Sequence, residues 1–502
     1  MAASGCEQFW SSYPGSESKN MSLKQQLDFL FNPSSVAVIG ASNNMEKWGF
    51  NILSILLLKG GRRVYAVNRN EAKVQGLEAY KNVTDIPGSV ELAVITVPFR
   101  DIPAAMRDCV RKGVKAAVVI SGGLAETGDE GAKVEKEVVK IARSGGIRFI
   151  GPNCMGNFDT YTNLFTVPYL PQVKKGPLAV ITQSGNVSQT IIYQASEAGL
   201  GFSKYISSGN EADLHFEDYL EYLGGDEETK IILGYIEGLR EGRRFFELAR
   251  EITRRKPIVI LKAGRTEAGA WAARSHTASL AGSDVVSESA FRQCGVIRVD
   301  EIEELVDMAL ILLGQPKPRG RRVGVYSTGG GAAVITADAL MGQGLKLPVL
   351  SPATMGKLNS LMSGRWSRGN PIETGGDFFD YNCVWTLIED DNVDAAVIIG
   401  GGGAAMNYAA WVPIAADFRE AVEQWMDAQE DNESRELDKL IELKDRYQKP
   451  VILANMGIPN SRKGKLHRRL EETHLLHFPT PERAARALAR LVEYSEYLGI
   501  AK

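Results

Sequence analysis

A regular alternation of short β-branched runs with amphipathic helical segments constrains this chain more than any other feature. The runs "SVAVIG", "RVYAV", "LAVITV" and "KAAVVIS" are separated by segments such as "GFNILSILLLKGG" and "IPAAMRDCVRKG". Short apolar strands that alternate with helices are typical of parallel βαβ units, in which helices cover both faces of the sheet. The sequence therefore predicts an α/β protein that begins with a doubly wound domain.

The alternation restarts twice, each time after a break that contains proline and glycine. The breaks are "VPYLPQVKKGP" at 167–177 and "GQPKPRGRR" at 314–322. Both later cycles have a strand ending in a hydroxyl or amide residue, a glycine turn, and a helix opened by small residues, as in flavodoxin-like domains. The predicted segments are a polar leader at 1–28, a Rossmann-like domain at 29–166, and flavodoxin-like domains at 174–313 and 321–498.

Composition narrows the classes of partner. The 502 residues carry 58 Lys+Arg and 61 Asp+Glu, for a net charge of −3, and the basic residues are scattered. This distribution argues against a nucleic-acid surface. No apolar window reaches the roughly 18 residues of a membrane span, and no secretory signal is visible. The five cysteines form no C-x-x-C pair, which fits a reducing compartment. We therefore expect a cytoplasmic protein with a small-molecule or protein partner, and we expect the charged segment 411–448 to be a solvated surface insert.

The first glycine-rich turn follows the first predicted strand. In "VAVIGASNNMEKWG", Gly40 ends the strand and Gly49 stands at the predicted helix start. Glycine lets the backbone approach a ligand, and free helix N–H groups attract phosphate. The spacing departs from G-x-G-x-x-G, which weakens an NAD interpretation. A nucleotide-like ligand and a simple turn both remain open from this motif alone.

Two further turns share one pattern, a strand running through Ser or Thr and glycine into a helix. The positive end of a helix and its free N–H groups can hold an anion, although Ser and Thr also cap helices without any ligand. The occurrence of two matching turns in one chain favours anion binding. The candidate phosphate-binding residues are Ser184, Gly185 and Asn186 in the first turn and Thr328, Gly329, Gly330 and Gly331 in the second.

The stretch "RSHTASLAG" displays His276 among small residues, with Gly264, Gly269 and Gly282 around it. The small side chains offer little apolar surface for packing, and glycines can act as hinges, so the segment suits a loop that moves during catalysis. An attacking imidazole needs its second nitrogen oriented, usually by a carboxylate. Glu237, at the end of the predicted strand in "KIILGYIEG", is the candidate. A lone loop histidine is more often a surface residue, so both interpretations stay open at this point.

Five motifs occur along the chain in this order: "VISGGLAETG", "GPNCMG", "ITQSGN", "SHTASLAG" and "STGGG". With these motifs, in the family's order, the sequence resembles the alpha-type chain of NDP-forming acyl-CoA synthetases, which are relatives of succinyl-CoA synthetase. Ala278 and Ser279 replace Gly and Ala of the family's phosphohistidine loop. The resemblance runs from about residue 33 to near 495. It implies an ADP-forming acid–thiol ligase that reversibly converts acyl-CoA, ADP and phosphate to acid, CoA and ATP through an acyl phosphate and a phosphohistidine.

The resemblance also implies roles for residues. His276 matches the phosphorylated residue, and Glu237 matches its supporting carboxylate. The helix N-termini that follow the two Ser/Thr–glycine turns match the pair that holds the phosphoryl group. The first domain would bind coenzyme A, and no metal site is expected in this chain. The implied CoA-binding residues are Gly40, Ala41, Ser42, Lys47, Asn68, Val97, Pro98, Ser121, Gly122, Asn153 and Cys154.

The family also uses an ATP-grasp module that binds ADP or ATP with Mg²⁺, and neither this module nor a P-loop is recognisable in the sequence. We therefore expect an ATP-grasp beta-type partner subunit, within a hetero-tetramer or beside a homodimer of this chain. A CoA-binding regulatory or scaffold protein without turnover is the alternative, and an NAD-dependent oxidoreductase is a third. The sequence leaves the carboxylic acid open.

Overall fold

The computed structural model describes residues 21–168, 173–269, 271, 284–375, 379–400, 416–456, 465–475 and 477–501. The chain divides into two compact units, Met1–Ile302 and Glu303–Lys502. Within the described ranges, none of the helices combines the length and apolar composition that crossing a bilayer requires.

The first sheet of unit 1 has the order β3-β4-β2-β1-β5-β6-β7, and only the β3–β4 pair is antiparallel. Without the two-residue β3, this is the 3-2-1-4-5-6 order of dinucleotide-binding folds. The strands are β1 (Ser35–Ile39), β2 (Arg63–Val67), β3 (Lys73–Val74), β4 (Leu77–Tyr80), β5 (Leu92–Ile95), β6 (Ala116–Val119) and β7 (Arg148–Ile150). The helices are α1 (Leu23–Phe31), α2 (Trp48–Lys59), α3 (Ile102–Lys112) and α4 (Asp129–Ser144).

Strand β1 illustrates why these runs form a central sheet. All five of its residues are buried. Val36 and Val38 belong to one hydrophobic cluster, while Ala37 and Ile39 belong to another. Because successive side chains of a strand point to opposite faces, an uninterrupted apolar run can fill two cores at once.

The second sheet of unit 1 has the order β14-β13-β12-β10-β11-β8-β9. Its five parallel strands follow the flavodoxin order 2-1-3-4-5, and the hairpin β8–β9 adds antiparallel to β11. The strands are β8 (Gly156–Asp159), β9 (Leu164–Phe165), β10 (Lys175–Thr182), β11 (Phe202–Ser207), β12 (Ile231–Ile236), β13 (Ile258–Lys262) and β14 (Ile297–Val299). The helices are α5 (Gly185–Glu197), α6 (Phe216–Gly224), α7 (Gly242–Ile252) and α8 (Asp284–Cys294).

Unit 2 holds a parallel sheet of order β16-β15-β17-β18, to which a bridge between Ala454 and Phe478 adds a fifth position. This again gives the flavodoxin order 2-1-3-4-5, so the predicted α/β fold class is confirmed. The strands are β15 (Val323–Ser327), β16 (Ile372–Glu373), β17 (Ala395–Ile399) and β18 (Val451–Ala454). The helices are α9 (Ile302–Gly314), α10 (Gly330–Gly342), α11 (Pro352–Leu361), α12 (Tyr381–Glu389), α13 (Arg419–Tyr447), α14 (Lys465–Glu472) and α15 (Pro481–Tyr497).

The expectation that segment 411–448 is wholly solvated is wrong for its second half. In α13, Leu437, Leu440 and Leu443 are no more than 4% exposed and belong to the unit 2 core with residues of α12. A spacing of three residues places these leucines on one helix face. The prediction failed because the segment contains many charged residues on its other faces, so its overall composition does not reveal one apolar face.

Candidate active site

A cavity of about 640 Å³ opens at the carboxyl ends of β1, β2, β5 and β6. Ligands of doubly wound folds bind at this edge because parallel strands all end there. The cavity brings together nine of the eleven predicted CoA-binding residues, namely Gly40, Ala41, Ser42, Lys47, Asn68, Val97, Pro98, Ser121 and Gly122. Lining residues that sequence reasoning missed include Trp48, Arg69, Lys81, Asn82, Phe99 and Asp108.

Two glycines shape the turn between β1 and α2. Gly40 has a φ of 95°, and a Cβ added there would lie 2.7 Å from Thr96 Oγ1. A Cβ on Gly49 would lie 2.0 Å from the Gly40 carbonyl oxygen, so the helix packs directly on the turn. Asn68 Nδ2 donates to the Ala41 carbonyl at 2.7 Å and fixes the turn from the neighbouring strand. Glycine is required at both positions because no side chain fits.

The cavity wall carries cations beside a helix N-terminus. Lys47 is the N-cap of α2, and its side chain makes no capping hydrogen bond in the described structure. Arg69 and Lys81 also line the cavity, where Arg69 lies 3.6 Å from Asp101. Cations and free helix N–H groups favour an anion such as a phosphate. The ring of Phe99 adds an apolar wall.

Asn153 and Cys154 are not part of the described lining of this cavity, although Asn153 lies against it. Its N–H donates to the Ser121 carbonyl at 3.0 Å, and its Oδ1 lies 2.8 Å from the place of a Cβ on Gly122. The thiol of Cys154 donates to the Val119 carbonyl at 3.3 Å, and burial raises the pKa of Cys154 to about 12. Cys154 is therefore a packed thiol, because only a thiolate would be nucleophilic.

The segment that contains Asn153 continues onto the mouth of α5. Ser184 is the N-cap of this helix, and its side chain makes no capping hydrogen bond in the described structure. A Cβ on Gly185 would lie 2.4 Å from Met155 Cγ, and the Met155 N–H donates to Ser207 Oγ at 3.0 Å. The structure thus places the Asn153–Met155 segment between the cavity and the predicted anion-binding turn. Asn186 is exposed in the first turn of α5.

Glu237 follows β12 at the same sheet edge, since β12 is the neighbour of β10. Glu237 is only 6% exposed. Burial of the neighbouring Tyr235 and the charge of Glu237 together raise the pKa of Tyr235 to about 12. The backbone N–H of Glu237 donates to Gln183 Oε1 at 2.5 Å. Sequence reasoning missed Gln183, although it directly precedes Ser184. His276 lies outside the described residues.

Unit 2 contains the second predicted turn. Gly329 is the N-cap of α10, and its N–H donates to Ser327 Oγ at 3.2 Å. Gly330 and Gly331 follow at the exposed start of the helix. A Cβ on Gly400 would lie 2.8 Å from Thr328 Oγ1, so that strand end packs closely on the turn. In the part of the chain that the structure describes, no group of His, Cys, Asp and Glu side chains could hold a metal ion.

Comparisons with known proteins match both domains of unit 1. Residues 34–158 match a family described as a CoA binding domain, and residues 175–312 match the succinyl-CoA ligase like flavodoxin domain. The chain is 44% identical over 378 residues to the alpha subunit of ADP-forming acetate–CoA ligase II from Pyrococcus furiosus, covering 74% of this chain and 82% of the relative. It is 40% identical to ADP-forming acetate–CoA ligase I of Archaeoglobus fulgidus, with 76% of this chain and 56% of that relative covered.

A solved structure is similar to this chain over almost its whole length. The dinucleotide-forming acetyl-coenzyme A synthetase 1 of Ca. Korarchaeum cryptofilum, in complex with phosphate and ADP, is 31% identical with a TM-score of 0.79. The match covers 94% of this chain and 98% of that one. The identity to the Pyrococcus relative, together with the two matched domains, shows that the chain belongs to the ADP-forming acetate–CoA ligase family, as one of its alpha-type, succinyl-CoA ligase-like chains.

Proposed function

We propose that this chain is the alpha-type subunit of an ADP-forming acyl-CoA synthetase, which forms an acyl phosphate and then a phosphohistidine on His276. The observation that carries the proposal is the position of the Asn153–Met155 segment. It contacts the cavity wall at Gly122 on one side and the mouth of α5 at Gly185 on the other. A thioester held at the end of the cavity would therefore lie near an anion-binding turn.

The cavity suits coenzyme A for chemical reasons. CoA carries phosphate groups, which the α2 N-terminus and the cations Lys47, Arg69 and Lys81 would bind. The same lining also holds the carboxylates of Glu46, Glu71, Asp101 and Asp108. Its adenine and pantetheine need apolar walls, which Trp48 and Phe99 contribute. The match of residues 34–158 to a CoA binding domain supports this assignment.

The proposed reaction begins with inorganic phosphate and acyl-CoA. An oxygen of HPO₄²⁻ attacks the thioester carbon, the C–S bond breaks, and the thiolate takes the phosphate proton to give CoA-SH and an acyl phosphate. One nitrogen of His276 then attacks phosphorus, the P–O bond to the acyl group breaks, and the carboxylate leaves. The imidazole keeps its other proton and becomes positively charged. The phosphoryl group finally passes to ADP, which restores neutral His276 and gives ATP.

The chain's own groups would stabilise the charges that these steps create. Glu237 would accept a hydrogen bond from the phosphorylated imidazolium, and this bond would orient the ring. The N-terminus of α5 would hold phosphoryl oxygens and stabilise them by about 0.3–2 kcal/mol. Phosphoryl transfer requires mainly this kind of positioning and electrostatic stabilisation. The modest free energy suits a group that must be bound and then released.

We propose that ADP, ATP and Mg²⁺ bind to an ATP-grasp beta-type partner subunit. The similar Pyrococcus proteins are named as alpha subunits, which supports a second chain. The loop around His276 would then carry the phosphoryl group between the two subunits. Acetate is the first acid to test, because several relatives are named as acetate–CoA ligases.

The test is ATP formation from acetyl-CoA, phosphate and ADP, with the purified chain alone and with a beta-type chain of the family. We expect CoA release coupled to ATP formation only when both chains are present, and loss of both products in His276→Ala. ATP formation by the chain alone would contradict the partner assignment. CoA binding without turnover under any condition would favour a regulatory or scaffold protein instead.

A further inference from the structure

The side-chain amide of Gln183 links the loops that follow three neighbouring strands. Gln183 follows β10, and its Oε1 accepts hydrogen bonds from the N–H groups of Glu237 at 2.5 Å and Gly238 at 3.2 Å, after β12. Its Nε2 donates to the Gly238 carbonyl at 2.7 Å and to Glu211 Oε2 at 3.0 Å, after β11. Because β10 lies between β11 and β12, this amide spans the point of the sheet where open α/β folds bind ligands.

The partners of the amide fix its orientation. Two N–H groups face Oε1 of Gln183, so Nε2 must face acceptors, one of which is the Glu211 carboxyl group. Glu211 is only 3% exposed, and its other oxygen accepts a hydrogen bond from Ser208 Oγ at 2.8 Å. Its φ of 54° is a left-handed conformation that non-glycine residues rarely adopt. The surrounding contacts therefore hold Glu211 in one place.

Charged and titratable groups face Glu211 from the elements around it. Burial raises the pKa of Glu211 to about 8; the hydrogen bond from Ser208 opposes this rise, and the Glu217 carboxylate on α6 adds to it. The hydrogen bond from Gln183 and the charge of Arg240, in the loop after β12, also oppose the rise. Tyr219, on α6 as well, is fully buried. At neutral pH the protonated form of the carboxyl group is therefore favoured, and Glu211 adds less negative charge beside Glu237 than an unperturbed carboxylate would.

We propose that Gln183 and Glu211 are positioning residues, which form a neutral hydrogen-bonded clamp that holds the Glu237–Gly238 backbone and so fixes the segment that carries the Glu237 carboxylate. The inference rests on the proposed function, in which Glu237 orients the imidazole. Neither clamp residue would touch the reacting atoms. Ionised Glu211 would place an additional negative charge at the edge of the sheet that must accept a phosphate dianion, so the clamp works in its neutral form.

The test is the initial rate at which the intact chain incorporates labelled inorganic phosphate in the presence of acetyl-CoA, between about pH 6 and about pH 9.5. In the wild type, we expect the rate to fall as the pH rises through about 8. Glu211→Gln should keep the neutral-pH rate and lose this alkaline decline, because an amide replaces the protonated acid. Gln183→Met should label about 10- to 100-fold more slowly throughout, because two backbone N–H groups lose their acceptor.

Gln315 in unit 2 offers a matched control. Its side-chain amide also clamps a backbone, since Nε2 donates to the Val451 carbonyl and Oε1 accepts from the Val451 N–H, both at 2.8 Å. Gln315→Met should lower stability while the rate and pH profile of labelling stay those of the wild type. This comparison separates positioning of Glu237 from the general cost of removing a structural glutamine.

Equal alkaline decline in wild type and Glu211→Gln, or wild-type labelling in Gln183→Met, would overturn the clamp while leaving the phosphohistidine intact. If Gln183→Met fails to fold, the Glu211→Gln profile still decides. A wild-type chain that binds CoA but takes up no label at His276 would overturn the proposed function and the clamp together.

Discussion

At the scale of single residues, Gly49 sets how closely α2 approaches the turn after β1. Gly49→Ala would place a Cβ 2.0 Å from the Gly40 carbonyl oxygen, so the helix must move away from the turn. We expect a loss of about 1–3 kcal/mol in the free energy of unfolding and weaker CoA binding. Urea denaturation and calorimetric CoA titration would measure both effects.

Gly242, the first residue of α7, provides the control for this substitution. A Cβ there would meet nothing within 4 Å, and alanine favours a helix over glycine by about 1 kcal/mol. Gly242→Ala should therefore be neutral or stabilising and leave CoA affinity unchanged. If Gly49→Ala behaved like this control, the close packing of helix and turn would be wrong.

The raised pKa of Glu211 should make stability, as well as activity, depend on pH. Its pKa is about 8 in the folded chain against 4.5 when unperturbed. Between these values the folded state keeps a proton that the unfolded state has lost, so the free energy of unfolding falls as the pH rises, and it levels off above the folded pKa. We expect Glu211→Gln to gain stability relative to the wild type across this window, measured by urea denaturation. Parallel curves for the two proteins would contradict the raised pKa.

At the scale of elements, Asp213 joins the loop after β11 to the Rossmann-like sheet. Its carboxylate is fully buried and accepts hydrogen bonds from Arg143 Nε and Arg148 Nε, both at 2.8 Å, and from the Phe149 N–H at 3.0 Å. Asp213→Ala leaves these donors without their acceptor. We expect a loss of about 1–3 kcal/mol in the free energy of unfolding, because the buried Phe149 N–H loses its acceptor and both arginines lose their ion-pair partner.

An exposed ion pair in the same unit serves as the comparison for Asp213. Arg243 and Glu247 lie 3.0 Å apart, with side chains that are 92% and 62% exposed. Glu247→Ala should change the free energy of unfolding by less than about 0.5 kcal/mol. Equal effects of Asp213→Ala and Glu247→Ala would show that the buried junction contributes no more than a surface pair.

Elements also show what the sequence could and could not predict. The buried run of β1 predicted a central strand, because its apolar residues fill both faces. The pairing of β8 with β11 was not predictable, since segment 29–166 gives no local signal that its end joins the second sheet. The glycine turn after β1 left a ligand site and a simple turn both open, and the residues around the cavity came from the family resemblance. The contact of Gln183 with Glu211 could not be predicted, because it depends on loops that meet only when β10, β11 and β12 lie side by side.

At the scale of the whole molecule, CoA should protect one face of unit 1. Hydrogen exchange with and without CoA should show slower exchange in residues 40–50 and 121–122, which include cavity-lining residues and the start of α2. Residues of β18 in unit 2 are the internal control and should exchange at the same rate. Protection at β18 without protection at 40–50 would place the CoA site elsewhere.

The phosphohistidine is tested most directly by the fate of labelled inorganic phosphate. The full chain would be incubated with acetyl-CoA and labelled phosphate, and the modified residue located by mass spectrometry. The proposed function predicts one acid-labile, alkali-stable phosphoryl group on His276, absent without acetyl-CoA and absent in His276→Ala. Persistent label in His276→Ala, or a wild-type chain that binds CoA and remains unlabelled, would contradict it.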